Sequence, residues 1–93
     1  MKLINNGLVK VMEECGELVQ VCAKMVQYPD QDEHPDKQGY LLERLENEIA
    51  DVLATLAYAT TRLGLKEERI RTRAHAKTEL FESWEAEDKQ AQD

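Results

Sequence analysis

The chain is expected to be all-α, an antiparallel helical bundle of two long helices plus a third, completed by oligomerisation. Two observations lead there. Apolar residues recur at spacings of three and four along most of the length, the mark of amphipathic helices. Neither the strict alternation of a half-buried strand nor an internal repeat appears anywhere. Residues 1–93 make a single small domain, and a chain of 93 residues buries little surface for its size. A metal, a disulfide or a partner subunit is therefore expected to help hold it together.

The first helix is expected from Leu3 to about Gln27, with Leu8, Val11, Met12, Cys15, Leu18, Val19, Cys22, Met25 and Val26 on one stripe. Asn5 or Asn6 is suited to cap its start, leaving Gly7 in the first turn. Gly16 costs about 1 kcal/mol against alanine inside a helix, and close approach of another helix would offset that. Cys15 and Cys22 lie about 10 Å apart along the axis, too far for a disulfide, and read as core thiols.

From Tyr28 to Gly39 the chain carries Pro29, Pro35 and three aspartates with no apolar period, which predicts a loop and a candidate lid. His34 in its middle reads as a solvated loop residue. A second helix is expected from about Tyr40 to Leu63, its apolar face running through Leu42, Leu45, Ile49, Val52, Leu53, Leu56, Ala59 and Leu63. Gly64 stops it. The short connection Gly64-Leu65-Lys66 implies that a third helix, about Glu67 to Glu87, turns back beside the second. Glu67 and Glu68 suit the positive end of its dipole. The polar tail from Asp88 to Asp93 is expected to fray.

The balance of 12 basic and 19 acidic residues gives a net charge of -7 and argues against nonspecific nucleic-acid or anionic-membrane binding. No run approaches the roughly 18 apolar residues of a membrane span, and Met1 to Asn6 lacks a signal-peptide core. A soluble, cytoplasmic protein without nucleic-acid or membrane partners is expected. If its ligand is an anion, something positive must mediate.

Four carboxylates supply a place for that mediator. At about 100° per residue, the stripe of the first helix centres near Cys15 and Cys22, with Glu14 about 80° and Glu17 about 140° to one side. In the second helix, centred near Leu56, Glu48 and Asp51 fall about 80° and 140° off toward the same hand. Packed by those stripes, the two helices bring Glu14, Glu17, Glu48 and Asp51 together at the edge of the core. Like charges there raise one another's pKa, and a hard divalent cation removes the conflict. Oxygen-only ligation favours Mg2+, with Mn2+ as the second choice, over zinc. Glu13 points outward.

The run Glu13-Glu14-Cys15-Gly16-Glu17-Leu18, followed by Glu48-Ile49-Ala50-Asp51-Val52-Leu53, resembles the Glu-x-x-Glu and Glu-x-x-Asp motifs of the MazG-like all-α nucleoside triphosphate pyrophosphohydrolases. The resemblance covers roughly Val9 to Lys77 and is strongest at the two motifs, while the stretch between them, residues 18–47, is long for the family. It implies a homodimer or homotetramer that uses magnesium to cleave a nucleoside triphosphate to monophosphate and pyrophosphate. Residue by residue, it implies that Glu14, Glu17, Glu48 and Asp51 are the catalytic metal ligands. Magnesium bridging an acidic protein and a triphosphate, with a water attacking in line, is chemistry these residue types can support.

Positive charge is also expected at the phosphates. Ile70, Ala74, Phe81 and Trp84 share a face of the third helix with Lys77 near its centre and Arg73 on its edge. A lysine there either snorkels or meets an anion, and the resemblance implies a phosphate contact at Lys77. Tyr28, Tyr40, Tyr58 and Trp84 are aromatics that can stack on a base or fill the core. Two other readings stand beside this one: a phosphoribosyl-ATP pyrophosphohydrolase relative, and a noncatalytic helical oligomer or binding module whose acids are merely solvated.

Overall fold

The computed structural model describes residues 7–92. It consists of three helices, α1 (Leu8–Gln27), α2 (Leu41–Leu63) and α3 (Glu67–Gln92), with no strand among the described residues. The fold class is all-α, as the periodicity predicts. The Asn5 or Asn6 cap lies outside the described residues. Gly7 itself holds the cap position of α1, with φ at 99°, and its carbonyl accepts from the Val11 N–H at 2.9 Å.

Gly7 also explains how α1 is seated. It is buried, and a Cβ built on it would come within 3.0 Å of Tyr58 Cδ1 and 3.3 Å of Ala59 Cα. The start of α1 therefore lies against the last turns of α2. At the other end, Met25 and Tyr28 line a common recess with Tyr40 and Leu41. The seam between the helices consists of Val11, Glu14, Cys15, Leu18, Val21 and Met25 against Leu41, Arg44, Leu45, Glu48, Val52, Thr55, Ala59 and Leu63. Val21, Leu41 and Ala59 are its buried hydrophobic residues.

That seam is turned relative to the stripe expected from sequence. At about 100° per residue it centres near Leu18 on α1 and near Leu41 and Ala59 on α2, a rotation of about 60° on each helix. The rotation places Glu14 and Glu48 close to the contact line. Because the helices meet end to start, it also leaves the surplus apolar residues Met12, Val19, Val26, Leu42, Leu53 and Leu56 exposed on the opposite face. Cys22 goes with them: it is exposed, and only Cys15 is half-buried, which corrects the expectation of two core thiols. Gly16 is likewise not a point of close approach, since a Cβ there would meet nothing within 4 Å.

Gly64 ends α2 in the left-handed conformation, φ 65°, its N–H and that of Leu65 donating to carbonyls of the last turn. This is the expected glycine stop. Beyond it α3 departs from the expectation of packing beside α2. Its first turns approach α2 around Ala57, Thr60, Glu67, Ile70 and Arg71, and every described residue from Glu67 to Ala91 is exposed. The helix also runs on to Gln92 instead of fraying from Asp88. Lys89, Gln90, Ala91 and Gln92 of the tail are good helix formers, and Lys89 pairs with Glu85 at 3.4 Å. The molecule measures 51 × 37 × 17 Å along its principal axes, so it is thin in one direction. No helix among the described residues is long and apolar enough to cross a membrane.

Candidate metal centre

Helical periodicity and the turned seam together position the acids. Glu14 and Glu17 are one turn apart on α1, and Glu48 stands opposite on α2. Each of the three offers a carboxylate oxygen within 4.8 Å of the others. Glu14 and Glu48 are half-buried in the seam and Glu17 is exposed at its rim. One oxygen of Glu14 and one of Glu48, the Oε2 atoms, are buried without a hydrogen-bond partner.

The electrostatics follow from that placement. Burial pushes the Glu14 carboxyl above its ordinary value, and the charges of Glu17, Asp51 and Glu48 push it further. Glu48 is raised in the same way, by burial first and then by Glu17 and Asp51, with Arg44 pulling weakly in the other direction. Asp51 is thus near enough to be felt by both seam acids, although it stands outside the close group of three and is exposed. Glu13 faces outward as expected and pairs with Lys10 at 3.0 Å.

Buried, unpartnered oxygens with raised proton affinity are an arrangement of charge that a bound cation would relieve. The donor set is all carboxylate oxygen, which suits a hard divalent ion such as magnesium or manganese. The Glu14, Glu17 and Glu48 oxygens are the group that fits one ion, with Asp51 at its edge.

The expected phosphate contacts do not join this cluster within one chain. Arg73 and Lys77 are exposed on α3, and no hydrogen bond or ion pair links either to the four acids among the described residues. Around Lys77 the apolar residues Ile70, Phe81 and Trp84 are about half exposed, and the Phe81 and Trp84 rings lie 5.7 Å apart.

A second polar cluster was not foreseen from sequence. Asp36 of the connector accepts from Arg44 through both guanidinium nitrogens, Nη1 to Oδ1 at 3.0 Å and Nη2 to Oδ2 at 3.3 Å. Lys24 Nζ lies 3.1 Å from Oδ2, and the Gln38 N–H donates to Oδ1 at 3.1 Å. Hydrogen bonds from Arg44 hold this carboxyl well below the usual range. His34 belongs to the same knot: its Nδ1 accepts from the Asp36 N–H at 3.0 Å, and its ring meets Tyr28 edge-on at 4.8 Å. His34 is therefore a half-buried structural residue of an ordered connector, not a solvated one. The sequence signal was present in the helical register, since Arg44 precedes Glu48 by four and Lys24 follows Glu17 by seven on the same faces.

Comparison with known proteins adds no neighbour: no family model, no curated protein and no solved structure matches the chain.

Proposed function

We propose that the chain is a cytoplasmic, magnesium-dependent nucleoside triphosphate pyrophosphohydrolase of the MazG-like all-α kind. It cleaves a ribo- or deoxyribonucleoside triphosphate to the monophosphate and pyrophosphate. One observation carries the reading: Glu14 and Glu48 each bury an unpartnered carboxylate oxygen in the same seam, with a Glu17 oxygen inside the same 4.8 Å group. A protein has little reason to spend helix-packing surface on repelling carboxylates unless a cation joins them.

Glu14, Glu17 and Glu48 would hold the ion, with Asp51 beside them. Magnesium held by these residues would supply charge for the phosphates and acidify a water. Glu17, exposed at the rim, is the first-motif carboxylate open to accept the proton of an attacking water. The triphosphate is positioned partly by Arg73 and Lys77, delivered when copies of the chain associate.

Association is supported by what a single chain leaves bare. Met12, Val19 and Val26 of α1 and Leu42 and Leu53 of α2 are each more than 60% exposed, as a set on one face, and α3 shows Ile70, Phe81 and Trp84. Two or four copies covering these surfaces would make the antiparallel helical bundle that one chain begins.

The test is a panel of nucleoside triphosphates incubated with magnesium and scored for pyrophosphate. Hydrolysis should disappear in excess chelator. Asp51→Asn should lower it by orders of magnitude while the helical circular-dichroism spectrum is kept. Full activity in that variant or in chelator, or no hydrolysis of any nucleotide, overturns the reading.

A further inference from the structure

The groove that holds the acids changes sign along its length. A cavity of about 500 Å³ is lined by Glu17 and Glu48 at one end and by Lys24 and Arg44 at the other, with Gln20 and Asn47 between. Its volume is within the usual range of small-molecule sites, roughly 300 to 1,000 Å³. On α2 the step from Glu48 to Arg44 is one turn, a rise of about 6 Å; on α1 the step from Glu17 to Lys24 is two turns, about 10 Å.

Within the chain, Lys24 and Arg44 already hold an oxyanion. The Asp36 carboxylate spreads its two oxygens over three cationic donors: the two ends of the Arg44 fork and the Lys24 ammonium. The three side chains are not sealed off, being 17% exposed at Arg44, 25% at Asp36 and 29% at Lys24. Both cations line the groove as well as meeting Asp36, and the Arg44 fork is the geometry that also grips phosphate.

We propose that Lys24 and Arg44 form a subsite for the end of a polyphosphate remote from the carboxylates, and that Asp36 is its built-in stand-in, displaced when a phosphate group enters. The choice of polyphosphate as ligand rests on the reading given under Proposed function; the anion site itself rests on the Asp36 contacts. Displacement also frees the connector at its tie to both helices, so occupancy of the subsite and the state of residues 28–40 are coupled.

Titration calorimetry with pyrophosphate tests this on the full chain, once with magnesium and once in excess chelator, using the parent, Asp36→Asn and Asp36→Asn/Arg44→Gln. With magnesium, Asp36→Asn should bind roughly tenfold tighter, because the donors no longer have a competing charge, and the double variant should bind more weakly than the parent. Arg44→Lys is the arm that leaves the connector tied by charge. It should weaken binding several-fold by losing the fork.

Equal affinity in Asp36→Asn and the parent, equal affinity in the double variant and Asp36→Asn, or unchanged binding in Arg44→Lys overturns the subsite. The two media separate this from the metal reading. If the order of affinities holds and each affinity is itself the same with and without magnesium, the subsite stands and the cation role of the acids falls. If magnesium binding and hydrolysis are found but the order is absent, the subsite alone falls.

Discussion

Asp36 and Glu48 are both half-buried carboxylates within reach of Arg44, and they occupy opposite electrostatic states. Asp36 has donors on both of its oxygens, from Arg44, Lys24 and the Gln38 N–H, and its carboxyl is held far below its ordinary value of 3.8. Glu48 has an oxygen with none, faces Glu17 and Asp51, and is raised above 4.5. One arginine serves the first and barely touches the second, because its fork is turned to the connector. What the difference teaches is that burial alone does not set the state of an acid here: Asp36 is neutralised by the cations that tie it to both helices, and Glu48 is left beside other carboxylates, the imbalance that the proposed cation would relieve.

The sharpest way to break this contrast is Glu48→Gln, which keeps the shape of the seam and removes one of its charges. Nucleotide hydrolysis should fall by at least about 100-fold, the scale on which one charged partner of a transition state is felt. The magnesium-induced rise in melting temperature should also be lost. Hydrolysis and metal stabilisation at parental levels would place Glu48 with the ordinary packing residues.

Gly7→Ala attacks the seating that puts both carboxylates along one groove. A side chain at φ 99° is strained, and its Cβ would press on Tyr58 and Ala59. A loss of about 2 kcal/mol is expected in chemical denaturation. No measurable loss would mean that α1 starts elsewhere in solution.

Acid should do part of what metal does. The raised pKa values of Glu14 and Glu48 mean that the folded chain takes up protons before the unfolded one. Their protonation stabilises the fold fully below their ordinary value of 4.5, and that contribution is lost as pH rises through the folded values. Asp36 works oppositely, stabilising above its ordinary value and failing only in strong acid, so it does not offset the gain. In chelator the melting temperature should therefore rise between pH 7 and pH 5, less so in Glu48→Gln. A flat or falling profile in that window contradicts the raised values.

The smallest expected effect is at Gly16, between the two glutamates of the first motif. It makes no close approach, so Gly16→Ala should stabilise the helix by up to about 1 kcal/mol without altering hydrolysis. A loss of stability would show that a partner copy packs against that position.

Much of the fold was legible because it depends on local signals. The helix class, the Gly64 stop and the start of α3 at Glu67 all follow from periodicity and punctuation. The acids came from the same periodicity, and three of the four do converge. What periodicity does not give is which part of a wide apolar stripe another helix will cover. The middle of the stripe predicts Cys22 in the core, whereas α1 and α2 pack along its acidic edge and leave Cys22 exposed. The path of α3 was hidden for a related reason: a short connection fixes where a helix begins, and only side-chain contacts fix where it goes. In the Asp36 knot the register places Lys24 and Arg44 on the faces of the acids, but no spacing ties Asp36 of the connector to them.

The bareness of α3 gives its backbone a reporting role. With its side chains uncovered, its amides are guarded only by the helix's own hydrogen bonds, and such a segment opens locally at little cost. Deuterium uptake along Glu67–Gln92 should be fast in dilute protein and slow once copies cover the helix, while uptake in the α1–α2 seam tracks the unfolding of the hairpin itself. Exchange measured at two protein concentrations thus separates assembly from folding.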